Sequence, residues 1–266
     1  MIKDGKAMGM MIDVQKQKDT REVPLKKVGI KDLKWPIKVM DKENGSQHTV
    51  GKLTLSVDLP SEQRGTHMSR FVEIANSMDS LNPKYLEELL RKMKQRLGGM
   101  VAHCKIEFDY FVRKTSPVTG ISAPYDVSCA FEAQLGDEFE FLMRVDVPVT
   151  TLCPCSKEIS EAGAHNQRAI VSMVVAMNKL VWIEDLVKVA EDSGSCPIYS
   201  LLKREDEKYV TEKAYNNPRF VEDAVREVAL RLDDMDSIDW YSVNVESIES
   251  IHNHNAFAHT EKAYGK

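Results

Sequence analysis

The chain has 266 residues, enough for one large domain or two small ones, of which 42% are hydrophobic, 29% charged and 7% aromatic. A formal net charge of -5 argues against general nucleic-acid binding. No window nears the ~18–20 continuous apolar residues of a membrane span, and no charged-then-apolar leader opens the chain. Five scattered cysteines, odd in number, argue against a disulfide framework and for a reducing cytoplasm.

Residues 1–47 are lysine-rich and weakly periodic, with Pro24 and Pro36, and read as a partly extended arm. "GSQHTVGKL" from Gly45 resembles a phosphate-binding loop but fails as one. Five residues separate its glycines instead of four, and Leu53 stands where the hydroxyl belongs. Leu53, Leu55, Val57 and Leu59 alternate as in a half-buried strand that Pro60 ends. "NPKYLEE" from Asn82 opens a helix with an Asn cap and Pro at the first helical position. Its apolar face is Tyr85, Leu86, Leu89, Leu90, Met93 and Leu97, and Gly98-Gly99 stops it.

Ile106, Phe108, Tyr110 and Val112 alternate again. So do Phe139, Phe141, Met143, Val145, Val147 and Val149, entered through a turn at Gly136-Asp137. Long alternation of this kind predicts an antiparallel sheet with one covered and one wetter face. "NPRFVED" from Asn217 predicts a second Asn-capped helix, with Phe220, Val221, Ala224, Val225, Val228, Ala229 and Leu232 on one face. Alternating strands follow both helices, "CKIEFDYFV" from Cys104 and "DWYSVNVES" from Asp239. The repetition predicts a duplicated unit: an arm over 1–47, a first module over 48–135 and a second over 136–266. Glu222 falls at the edge of the second helix's apolar face. It is either a half-buried carboxylate facing a pocket or a solvated glutamate favoured by the helix dipole.

Thiolate and imidazole suit zinc, iron(II) and neighbouring ions. "TTLCPCSKEISEAGAHNQR" offers Cys153, Cys155 and His165, and "ESIHNHNAFAHT" offers His252, His254 and His259. His252 and His254 would point the same way on an extended segment. Between them, "KREDEKYVTEK" carries Glu205, Asp206, Glu207 and Glu212, either oxygen ligands or a solvated acidic loop. From spacing alone, Cys153 and His165 could also be a nucleophilic pair, or the two cysteines merely buried neighbours. GxGxxG, GxSxG and CxxC are all missing.

Four stretches in order, "GTHMSRF", "PVTTLCPCSKEISEAGAHNQRA", "LLKREDEKYVTEKAYNNPRFVED" and "ESIHNHNAFA", closely resemble the GTP cyclohydrolase type IB family, over about residues 48–262. The resemblance implies an α+β tunnelling fold with two tandem modules of antiparallel sheet and paired helices. It also implies a cytoplasmic homotetramer with active sites between subunits, and conversion of GTP and water to 7,8-dihydroneopterin triphosphate and formate, the first step towards tetrahydrofolate. The family's ligands for one divalent metal (zinc, manganese or iron) fall on Cys153, His165, Glu207 and His252. Cys155 is then a packed neighbour, and Glu222 matches the carboxylate that anchors guanine. Proton transfers fall to His252, His254 or His67, and Cys153 acts through the metal or also directly. For the triphosphate, Arg70 beside Ser69 leads, followed by Arg64, Lys157, Arg168 and Arg204. Three rivals share parts of this pattern: a nitrile reductase of the same fold with Cys153 as nucleophile, an archaeal-type cyclohydrolase giving a cyclic phosphate, and a non-catalytic metal- or nucleotide-binding module.

Overall fold

A computed structural model describes residues 13–78 and 80–263; the stretch "MGMM" of the N-terminal arm lies outside them. After a short 3₁₀ turn at Val14–Lys16 the chain enters a long hairpin, β1 (Leu25–Asp41) and β2 (Gly45–Leu59). Much of the expected arm is therefore strand. Its alternation is faint in sequence because β1 is an edge strand with only its last residues buried, Ile37, Val39 and Asp41. An edge tolerates Pro36, and two register shifts with Asp32 at φ 60° break the regular ladder.

The hairpin turn is held by one carboxylate. Asp41 accepts hydrogen bonds from the Glu43 and Asn44 backbone N–H groups (3.0 and 2.7 Å) and from the side chains of Asn44 (3.1 Å) and Gln47 (2.9 Å).

Two helices follow, α1 (Met68–Ala75) and α2 (Pro83–Leu97), then β3 (Ala102–Thr115) and β4 (Ser122–Leu135). The Asn82 cap forms as the sequence predicts, its side chain accepting from Tyr85 N–H at 2.9 Å. Gly98 ends α2 at φ 77°, a left-handed conformation that costs other residues energy.

The second half comprises β5 (Phe139–Leu152), α3 (Pro154–Ile159), β6 (Asn166–Met177), α4 (Ile183–Ser193) and the two-residue β7 (Cys196–Pro197). It ends with α5 (Arg204–Asn216), α6 (Val221–Asp233), β8 (Ile238–Ile248) and β9 (Ala256–Glu261). Among the described residues these strands form one nine-stranded antiparallel sheet, ordered β1-β2-β3-β4-β5-β6-β8-β9, with β7 on β5. Pairing continues unbroken across the β4–β5 hairpin, from Ser128 opposite Asp146 to Leu135 opposite Phe139.

The helices cover one face of this sheet. Leu86, Leu89, Leu90 and Met93 of α2 meet Leu53, Leu55 and Ile106, while Leu186, Val228 and Leu232 of α4 and α6 join Val145, Val147, Val171, Met173, Val243 and Val245 in the same core. Each such side chain contributes roughly 1.5–3 kcal/mol on full burial.

Two local predictions differ. Asn217 does not cap α6, which starts at Val221; the cap comes from Asp223, whose carboxylate accepts from Phe220 N–H at 3.0 Å. The acidic run at 204–216 is helix rather than loop. It lacks an apolar stripe because only Asp206 and Ala214 are buried. Asp206 accepts from Val118 and Thr119 N–H (2.8 and 2.9 Å), the Thr119 hydroxyl (2.6 Å) and Lys203 N–H (2.9 Å), fastening α5 to the β3–β4 turn.

Burial opposes ionisation of Asp41, but its four hydrogen bonds outweigh that and hold the carboxyl below its ordinary 3.8. A depressed pKa gives stability that is present above the unfolded value and lost as pH falls through the folded one. Asp41→Ala is therefore expected to lower stability by about 2 kcal/mol at pH 7. In urea titrations the gap between wild type and variant should close below pH 3.8.

Candidate active site

The β5–β6 connection brings two of the predicted residues together at one cavity. The last ladder pair is Leu152 with Asn166. Just beyond it, Cys153 N–H donates to the His165 carbonyl at 3.1 Å. Pro154 then starts α3, and Gly163 at φ 78° brings the chain back. The Ser156 hydroxyl donates to Cys153 O (3.2 Å) and accepts from His165 N–H (3.2 Å), locking the loop closed. The Cys153 sulfur accepts from Ser156 N–H at 3.4 Å. His165 Nδ1 lies 3.0 Å from Gln167 Oε1; an amide oxygen only accepts, so the ring donates through Nδ1, which leaves Nε2 as the nitrogen open to a ligand.

A second wall comes from the entry to α6. Arg219 N–H donates to Leu152 O at 3.0 Å, and Asn217 donates to the carbonyls of Gly194 (3.0 Å) and Ser195 (3.2 Å). Arg219 also reaches Asn217 Oδ1 (3.2 Å) and Glu227 (3.1 Å). Hydrogen bonding from Arg231 holds Glu227 below the usual carboxylate range against its burial, and Arg219 adds to this. Glu222 sits in the first turn of α6 and is exposed at the cavity rather than half-buried.

The third wall is the β8–β9 connection. His252 and His254 lie in this loop, not on a strand, with rings stacked at 5.1 Å. Ser247 is buried and donates to Glu249 at 2.9 Å.

Together these segments enclose a solvent-open cavity of about 520 Å³. Thr151, Cys153, His165, Gln167, Arg219 and Glu222 line it, with Ser247, Glu249, His252 and His254 opposite. The volume suits a nucleotide base.

The remaining predicted residues lie elsewhere in the chain. Glu207 is exposed on the first turn of α5. His67 pairs with Asp13 at 3.2 Å, Arg70 donates to Arg96 O at 2.9 Å, and Arg64 donates to Gln17 at 2.6 Å; Ser69 is exposed beside them. Lys157 donates to Tyr215 O and covers that ring at 4.4 Å. Arg168 is exposed on β6 in the adjoining pocket with Thr150 and Tyr199, and Arg204 is exposed at the start of α5. Cys155, expected to pack, is exposed on α3. Burial pushes the Cys104 thiol up to about 12 and raises Cys129 and Cys196, while Cys153 is the thiol that lines this cavity. Among the described residues no three His, Cys, Asp or Glu side chains converge closely enough to hold a metal.

The chain matches the family described as Type I GTP cyclohydrolase folE2 over residues 11–258. It belongs to that family. It is 55% identical to the GTP cyclohydrolase FolE2 of Caldicellulosiruptor saccharolyticus over 251 residues, covering 94% of this chain and 98% of that one. The same-named protein of Thermotoga maritima is 56% identical over 252 residues, covering 95% and 97%. Among solved structures, urate oxidase from Bacillus sp. TB-90 superposes with a TM-score of 0.54 at 7% identity, covering 89% of this chain and 99% of that one. Uricase from Arthrobacter globiformis does so at 0.50 and 8%, covering 91% and 95%. This likeness establishes the fold, a tunnelling-fold α+β architecture.

Sequence reasoning missed Arg219, Thr151, Gln167, Ser247 and Glu249. Thr151 had a signal, since it lies two residues before Cys153 near the end of an alternating strand. Arg219 had none, because its partners come from other elements. Arg219→Gln and Glu227→Gln are each expected to cost about 1 kcal/mol in urea denaturation. The double variant should fall short of their sum by about 0.5 kcal/mol or more.

Proposed function

We propose that this protein is a cytoplasmic GTP cyclohydrolase that converts GTP and water into 7,8-dihydroneopterin triphosphate and formate on the route to tetrahydrofolate. One observation carries the reading: a thiol, three imidazoles and a helix-borne carboxylate line a single base-sized cavity in a chain of this family.

The Glu222 carboxylate accepts hydrogen bonds from guanine N1–H and the exocyclic amine together. Adenine offers neither donor on that edge, so ATP would leave the carboxylate unpaired and bind about 2–4 kcal/mol more weakly. C8 is a poor electrophile and neutral water a poor nucleophile. The donor chemistry of the cavity fits a divalent ion: Cys153 offers a sulfur, and the Gln167 contact leaves His165 Nε2 free, as in the outer-shell support of metal-bound histidines. His252 would join them, and Glu207 would contribute from a neighbouring copy, consistent with its exposure here. When bound, such an ion supplies acidified water for attack at C8. One thiolate, two imidazoles and a carboxylate suit zinc, iron(II) or manganese.

His254, stacked on His252, is placed to move protons as the imidazole ring opens, formate leaves and the pterin ring closes. We propose a homotetramer with its sites between subunits. Exposed Glu207 and Ser69, half-buried Arg70 and His67, and the sheet ends β1 and β9 support that arrangement. Arg70, Ser69, Arg168 and Lys157 would then meet the triphosphate.

After chelator treatment, the protein should make neopterin triphosphate and formate only when zinc, manganese or iron(II) is restored. Cys153→Ala and His165→Ala should each lose bound metal by elemental analysis. Bound metal with intact GTP under every condition would refute the reading, and a cyclic phosphate product would correct its last step.

A further inference from the structure

We propose that Thr151 is a further substrate-recognising residue, its hydroxyl donating a hydrogen bond to a purine acceptor, O6 or N7. The proposal rests on the assignment of the cavity to GTP.

On β5, Val145, Val147, Val149 and Thr151 alternate onto one face, and each is 0–1% exposed. Cys153 follows just past the strand's end. The row thus passes from valine to threonine to cysteine as it leaves the core and reaches the cavity, which Thr151 lines. Valine would fill the Thr151 position with the same volume and no polar atom. Instead, the Thr151 hydroxyl is shut away from solvent with no hydrogen-bond partner among the described residues. A buried unpaired hydroxyl costs roughly 1–3 kcal/mol.

Its neighbours do not relieve it. Gln167, opposite Thr151 in the ladder, has its oxygen engaged by His165, and buried Ser247 pairs with Glu249. The missing partner is therefore sought in what enters the cavity. A turn about χ1 moves Oγ1 to another staggered position about Cβ, so the hydroxyl of this cavity-lining threonine can be re-aimed at a ligand. With Glu222 taking the two donors of guanine, the base still presents acceptors at O6 and N7. N7 is bonded to C8, which must lie near Cys153, so that edge faces the strand carrying Thr151.

The test pairs binding with stability, using metal-loaded enzyme, the KM for GTP and the inhibition constant of 7-deaza-GTP, whose C8 is no longer part of an amidine. Thr151→Val should raise the KM for GTP roughly ten-fold, while Thr151→Ser stays within about two-fold of wild type. Thr151→Val should also melt at or above the wild-type temperature, because the unpaired hydroxyl is gone; a purely structural threonine would give the opposite. Loss of the Val effect with 7-deaza-GTP assigns N7, and its persistence assigns O6. An unchanged KM for GTP in Thr151→Val, or a lowered melting temperature, overturns the proposal alone. Failure of the wild type to bind GTP overturns the cavity assignment with it.

Discussion

Two backbone hydrogen bonds govern the site: Cys153 N–H to the His165 carbonyl, and Arg219 N–H to the Leu152 carbonyl. The first closes the β5–β6 connection so that a thiol and an imidazole line the same cavity. The second seats the entry to α6 on the end of β5, which fixes where Glu222 can stand. Neither bond involves a reactive group. Both are peptide contacts that buried backbone must make in any case, and the chemistry inherits their geometry.

Behind that junction lies a rigid support. The sheet is continuous through both halves of the chain, and helices from each half share one core across its covered face. A cavity at the end of such a sheet is built from strand ends and helix starts, where side chains leave the core but keep its order. The row Val145, Val147, Val149 and Thr151 on β5, with Cys153 just past its end, shows the change. Packing residues give way to a hydroxyl and then a sulfur. Ser156 and Gln167 extend this control outward, one holding the loop and the other orienting the imidazole.

Much of this was legible in the sequence, and the exceptions have physical causes. Two-residue alternation located β2, β3, β5 and β8 because each has one dry face; β4 and β6 were not singled out. It faded in β1, where little of the strand is buried. Asn-Pro marked α2 correctly and misplaced the start of α6, because Asn217 is spent on the Gly194 and Ser195 carbonyls. The acidic run, for which a solvated loop was one reading, is a helix whose single buried carboxylate, Asp206, serves a turn in the other half. Cys153, His165, Glu222, His252 and His254 come to one cavity; the cysteine and histidines stood out by their chemistry, and Glu222 by its place on a helix edge and the family resemblance. Arg219 and Ser247 carry no signature along the chain; Arg219 is placed by Leu152 on another element, and Ser247 by its burial at the end of β8. Glu207, Arg70, Ser69 and His67 lie outside the cavity, and their proposed roles depend on a second copy.

The central claim is that this cavity opens guanine at C8. The direct measurement follows GTP labelled with carbon-13 at C8 by nuclear magnetic resonance, using metal-loaded enzyme. The account predicts that the purine signal disappears as labelled formate appears, one formate for each dihydroneopterin triphosphate, and that Glu222→Ala abolishes both. Label retained in a purine while the wild type binds GTP would contradict it.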